Sequence, residues 1–248
     1  MNKKRGQVTI FVIVAILIVV AVIAYFVFIG DGISSSGVEG VPETPSELVE
    51  QCLSRAIEEG IYFNSLQGGY FLRADDYVNY SFLTVPVYWS DGASKMPSIE
   101  VLEEQLEYAV RVSTILCVND FAVFNGTYEV NSDSVESVEV SIDDGHVDAR
   151  LIYPVYAKKG DTVTQFSEFR RGVDFDYKKY YDLVGEAMVL HEIFPNSIPI
   201  SQFSELAYDN DFVYEVVEVS DTEQMYSFVF DMGEDPEYIY SFVGRYGN

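Results

Sequence analysis

The chain has 248 residues, long enough to enclose a substantial core. Asp and Glu number 40 against 15 Lys and Arg, and the resulting net charge of −25 repels phosphate backbones and sets nucleic acid aside as a partner. An apolar fraction of 48% with 15% aromatics excludes a disordered acidic chain.

Residues 1–7 form a basic tip whose Lys3, Lys4 and Arg5 are the only charges before residue 31, so a chain of net −25 carries −28 beyond that point. Val8 to Ile29 follows, 22 residues without a charge, a glycine or a proline. As a helix it spans roughly 33 Å, enough for a hydrocarbon core of about 30 Å. A helix of a soluble core is seldom apolar on every face, and the run is too long and lacks the small-residue cleavage site of a secretory signal peptide. The expectation is a transmembrane helix at 8–29, in contact with membrane lipid. The basic tip at 1–7 keeps the N-terminus cytoplasmic and sends the bulk of the chain outside the cell.

The opening Lys3-Lys4-Arg5-Gly6-Gln7 ahead of an apolar helix resembles the class III signal peptide of archaeal type IV pilin-like proteins and archaellins. That resemblance implies cleavage after Gly6, Gln7 as the new N-terminus, and self-association of the apolar helix in a filament core. Phe11 stands where many pilins carry Glu, as it does in archaellins, and residues 30–44 (GDGISSSGVEGVPET) form a flexible spacer where pilins run straight into their head. An uncleaved anchor is the other reading of the same residues.

Residues 45–248 are expected to form one acidic extracytoplasmic α+β domain. Thr44-Pro45-Ser46-Glu47 opens a helix with a cap, a proline at the first turn and a capping-box acid. Leu48, Cys52, Ala56 and Ile57 give that helix an apolar stripe, Gly60 weakens it, and Gly68-Gly69 ends it. Residues 77–89 read as extended. Pro97-Ser98 starts a second helix with Ile99, Leu102, Leu106, Ala109, Val110, Ser113, Leu116 and Cys117 on its apolar face. Asp120 to Val130 reads as a strand. Residues 134–175 then alternate as three antiparallel strands with turns at Asp143–His146 and Lys158–Asp161, a β meander. Helices at 176–193 and 201–208 and strands at 212–219, 225–231 and 237–244 complete the pattern.

Glu50-Gln51-Cys52, Leu66-Gln67-Gly68-Gly69-Tyr70, Tyr88-Trp89, Pro97-Ser98, Cys117, Tyr153-Pro154 and Lys159-Gly160-Asp161 together resemble a group of uncharacterised archaeal single-pass, membrane-anchored surface proteins. The resemblance spans most of residues 45–175. It implies a surface protein on one anchor and no particular activity.

Cys52 and Cys117 are the only cysteines, and an even pair in an outward-facing domain predicts one disulfide, with two buried thiols as the alternative. Asn79-Tyr80-Ser81 and Asn125-Gly126-Thr127 make Asn79 and Asn125 glycosylation candidates. Asp143-Asp144 and Asp209-Asn210-Asp211 offer hard oxygens to calcium and equally suit turns. Tyr77, Tyr80, Phe82, Tyr88 and Trp89 read as a sugar-stacking platform or, more simply, as core. Two histidines, His146 and His191, do not make a three-His metal site, and no nucleophile elbow or phosphate loop is present. No catalytic residue, metal ligand or cofactor is assigned. The expected role is structural or binding at the cell surface, with an envelope protein or glycan as partner; a pilin-like filament subunit is the alternative, and an extracytoplasmic hydrolase a weaker one.

Overall fold

A computed structural model describes residues 42–230, 233 and 237–247. The basic tip, Gly6, Gln7 and the apolar run at 8–29 lie outside the described residues, as does most of the spacer. Among the described residues no helix is long and apolar enough to cross a membrane.

Helix α1 (Pro45–Ser65) begins where the capping residues place it: Thr44 Oγ1 accepts from the Glu47 amide at 3.2 Å, and Glu47 Oε2 accepts from the Glu43 amide at 2.7 Å. Gly60 does not interrupt it. A Cβ there would lie 2.7 Å from Leu106 Cδ1, so the glycine is what allows α2 (Ile99–Val118) to pack closely on α1. The two helices run antiparallel, because Gly60 faces Leu106 and Ala109 while Cys52 is bonded to Cys117.

Ten strands form two sheets, so the fold is α+β. In the larger sheet β1 (Tyr77–Tyr80) and β2 (Leu83–Ser90) make a hairpin, and β3 (Ala93–Ser94) folds back on β2. Late strands β8 (Phe212–Ser220), β9 (Glu223–Phe230) and β10 (Tyr238–Arg245) are antiparallel to one another. β10 then joins β2 in parallel, which brings the two ends of the domain sequence together.

The smaller sheet is the expected meander with one addition. β5 (Ser137–Asp143), β6 (His146–Lys159) and β7 (Thr162–Asp174) pair in order through tight turns at Asp144-Gly145 and Gly160-Asp161. Strand β4 (Glu129–Ser132) pairs with Val155–Lys158 of β6, while β5 pairs with His146–Ile152. Both therefore lie end to end along one edge of β6, and the register shift between Ile152 and Val155 falls at their junction.

The expected strand at 120–130 is corrected. Asn119, Asp120 and Phe121 all have φ between 46° and 55°, and residues Asn119–Phe124 form a short 3-10 segment that turns Phe121 and Phe124 into the core before β4 begins. Leu116 is also corrected: it is exposed, while Thr114 and Val118 take the buried positions at that end of α2.

α1 lies between the sheets, packed on β6 and β7 of one and β10 of the other. Helix α3 (Tyr177–Ile193) crosses near β2, β3 and β5, and α4 (Ile200–Asp209) covers β8. The four-stranded sheet fills its inner face with Val138, Val140, Ile142, Val147, Ala149, Leu151 and Val155. The six-stranded sheet fills its inner face with rings: Tyr88 and Tyr226 stack on Phe242 at 5.4 and 5.1 Å, and Tyr180 meets Phe230 at 4.3 Å.

Candidate functional site

The C-terminal end of β10 borders a surface cleft of about 270 Å³ between the Asp91-Gly92 turn, Pro195-Asn196 and Arg245-Tyr246. Each polar group around it has a defined partner. His191 projects from α3 and is fully buried among Trp89, Phe203, Tyr226 and Tyr246. Its Nδ1 lies 2.8 Å from the Ala187 carbonyl, which only accepts, so Nδ1 carries the proton and Nε2 is the acceptor. The Tyr246 hydroxyl donates to Nε2 at 2.6 Å and in turn accepts from Tyr226. Burial holds the His191 imidazole below its ordinary value and pushes the Tyr246 phenol up to about 12. Both are neutral at pH 7, and the chain Tyr226–Tyr246–His191 pins the segment after β10 to α3.

Arg245 is also engaged. Its guanidinium binds both Asp76 carboxylate oxygens at 3.0 and 3.1 Å and Glu223 Oε1 at 3.0 Å. The hydrogen bond from Arg245 holds the Asp76 carboxyl below its usual range. This clamp joins the loop before β1 to the β9–β10 pair. The residues of this cleft that carry chemistry are thus used inside the fold.

A second cleft, of about 290 Å³, brings together residues that the sequence had flagged separately. Asp144 of the β5–β6 turn and Asn210 at the end of α4 line it with Asp176, Asp182 and Glu186 at the α3 surface. Lys178 pairs with Asp182 at 2.6 Å, and Lys179 lies on the same wall. Asp143, Asp209 and Asp211 are not among the lining residues. Among the described residues no group of three or more His, Cys, Asp or Glu has the geometry to hold a metal ion.

The remaining sequence candidates separate. Cys52 and Cys117 form a disulfide with a Cα–Cα distance of 5.6 Å. Asn79 on β1 and Asn125 in the turn before β4 are both exposed. The aromatic run splits: Tyr88 and Trp89 are fully buried in the core, Phe82 is 85% exposed at the β1–β2 turn, and Tyr77 carries Arg73 on its ring at 4.8 Å. Trp89 Nε1 and the Pro195 carbonyl lie 3.4 Å apart, so this ring belongs to the packing of α3's end. No joint platform for a sugar is assembled. His146 sits on the outer face of β6, 2.9 Å from Asp174 and 3.3 Å from Asp148, and Gly172 opposite leaves room for the ring. Tyr226 and Tyr246 were not singled out in the sequence, because a triad with members 20 and 55 residues apart has no spacing signal.

The motif segments quoted for the surface-protein resemblance meet in space. Gly68 and Gly69, at φ of 55° and 79°, turn the chain after α1, and Tyr88 donates to the Gly68 carbonyl at 2.6 Å. Gln67 Oε1 accepts from the Thr84 amide and hydroxyl, and Gln105 Oε1 accepts from the Phe71 and Leu72 amides. These residues build a corner of the core. Comparison of the chain with protein-family models, curated proteins and solved structures finds no match.

Proposed function

We propose that this chain is a single-pass, membrane-anchored surface protein that displays its acidic α+β domain outside the cell in a structural or binding role. The observation that carries the reading is the uninterrupted apolar segment Val8–Ile29 behind Lys3, Lys4 and Arg5. The Cys52–Cys117 disulfide supports it, since such bonds persist in oxidising compartments. The exposed Asn79 and Asn125 are in keeping with a glycosylated exterior. The internal engagement of His191, Tyr246 and Arg245 favours a role carried by the outer surface, with an envelope protein or glycan as partner.

One further observation favours a second reading. Lys3-Lys4-Arg5-Gly6-Gln7 matches the processing site of a pilin-like filament subunit, in which 8–29 would pack against copies of itself. Both readings are tested on the native protein extracted from washed membranes. A chain that resists alkaline carbonate and keeps Lys3-Lys4-Arg5 is the simple anchor; one that begins at Gln7 is a processed subunit, to be sought in polymers. Recovery in the soluble fraction with the tip intact overturns both.

A further inference from the structure

The second half of α2 carries an exposed apolar stripe. Tyr108, Val112, Ile115 and Leu116 fall on one helical face, opposite the buried Leu106, Ala109, Val110 and Val118, and Leu116 is 72% exposed. The stripe differs from other exposed apolar groups in its charge. The acids of α2 are Glu100, Glu103, Glu104 and Glu107, all in its first half, and none occurs from Tyr108 to Asn119. Arg111 is the only charge there, and it donates to the Val135 carbonyl. Elsewhere, Val189 and Ile193 alternate with Glu186 and Glu192, and Tyr208 stands between Glu205 and Asp209. In a chain of net charge −25, an acid-free apolar helix face is a local exception.

Its position is equally specific. The Cys52–Cys117 bond holds the C-terminal end of α2 against the first turns of α1. Leu116 is thus level with Cys52, eight residues or about 12 Å along α1 from Thr44, where the chain enters the domain. The 15-residue spacer 30–44 has a root-mean-square reach of roughly 20 Å. At the same end, Glu47 is occupied in capping the Glu43 amide and Glu50 in pairing with Arg171.

We propose that the Tyr108–Val112–Ile115–Leu116 face of α2 seats on the outer lipid surface, so that the domain rests on the bilayer it is tethered to. The proposal builds on the anchored reading above. The tether makes the contact intramolecular, so a few apolar side chains and an interfacial tyrosine suffice where a free domain would need a larger patch. The absence of acids removes the repulsion that the rest of the surface would meet at anionic headgroups.

The test is photolabelling of the full chain in phosphatidylcholine nanodiscs that contain a diazirine-bearing phosphatidylcholine, read by peptide mass spectrometry. The expected result is lipid adducts in 8–29 and, separately, in 108–124. Phe82 serves as the internal control. It is more exposed than any residue of the stripe, but Thr84 beside it is bonded to Gln67 at the other end of α1. Phe82 is expected to stay unlabelled, and labelling there equal to that of the stripe overturns the proposal. Adducts in 8–29 alone overturn the lipid seat and leave the anchor standing; adducts in neither region overturn both. Crosslinks between two copies of 108–124 in place of lipid adducts assign the face to self-association and overturn the seat. The double variant Ile115→Glu with Leu116→Glu changes two exposed side chains. It is expected to lose the 108–124 adducts and to keep those in 8–29 and the disulfide; retained adducts at 108–124 overturn the assignment.

Discussion

The two sheets keep their polar groups in opposite places. The four-stranded sheet buries aliphatic residues and puts its charges outside, where Arg150 bridges Glu139 and Glu168 across β5, β6 and β7. The six-stranded sheet carries hydroxyls into its core: Tyr88, Tyr177, Tyr238 and Tyr240 are all buried, and burial pushes each phenol well above its ordinary value. A buried hydroxyl without a partner is costly, whereas a screened surface ion pair contributes little. The fold of the large sheet should therefore depend on single oxygen atoms, and that of the small sheet on its apolar pattern.

The sharpest intervention acts on the helix pair between them. Reduction of Cys52–Cys117, which closes 65 residues, is expected to cost about 4 kcal/mol in the chain-entropy account, read as a shift in the urea midpoint with and without reductant. Gly69→Ala comes next. The residue has φ of 79°, and a Cβ would stand 2.3 Å from Leu102 Cδ2, so strain and overpacking together should cost about 2–5 kcal/mol by the same assay. A neutral result would mean that the Leu66–Tyr70 corner relaxes freely.

Tyr88→Phe tests the large sheet directly. It removes a donor to the Gly68 carbonyl and the partner of Tyr240 at 2.9 Å, and about 1–3 kcal/mol of destabilisation is expected. In the small sheet, Arg150→Gln breaks exposed ion pairs and should leave the urea midpoint nearly unchanged. A shift as large as that of Tyr88→Phe would erase the distinction between the sheets.

The smallest effects are pH-linked, and the two histidines report on one sheet each. The hydrogen bond to Asp174, with Asp148 adding charge, raises His146, whereas burial lowers His191. Proton NMR of the two imidazoles should show one titrating above and one below the usual value of about 6.5. For His146 the folded value is raised, so its contribution to stability is complete below about pH 6.5 and is lost as pH rises through the folded value. For His191 the folded value is depressed and the unfolded chain binds the proton more readily. Its neutral form supports the fold above about pH 6.5, and that support declines as pH falls toward the folded value.

Much of this architecture is legible in the sequence, for local reasons. The alternation of Val138, Val140 and Ile142, with Asp144-Gly145 as the turn, specifies a hairpin before any distant contact is considered. Thr44, Pro45 and Glu47 mark the start of α1 in the same way. The misread places are those decided at long range. Residues 119–121 enter the left-handed region because Phe121 and Phe124 must reach the core, against the strand preference of FAVF. Gly60 reads as a helix breaker until α2 is laid upon it. Leu116 fits the apolar period of α2, yet the helix turns that residue outward, and no periodicity reports which side of a stripe a partner helix will cover. The acidic cleft has the same character: Asp144 and Asn210 are 66 positions apart and meet only through the packing of α3.

The covalent tie between α1 and α2 also sets how the domain would respond to force. A pull on residue 44 reaches the crosslink after only eight residues of α1, and the load then passes from Cys52 to Cys117 without entering the chain between them. The 65-residue separation, worth roughly 220 Å of contour length, is withheld from extension while the bond is oxidised. β1, β2 and α2 lie within that shielded loop. A domain strained from its entry end would yield first in the late strands, and reduction would lengthen its unfolding step by the whole withheld contour.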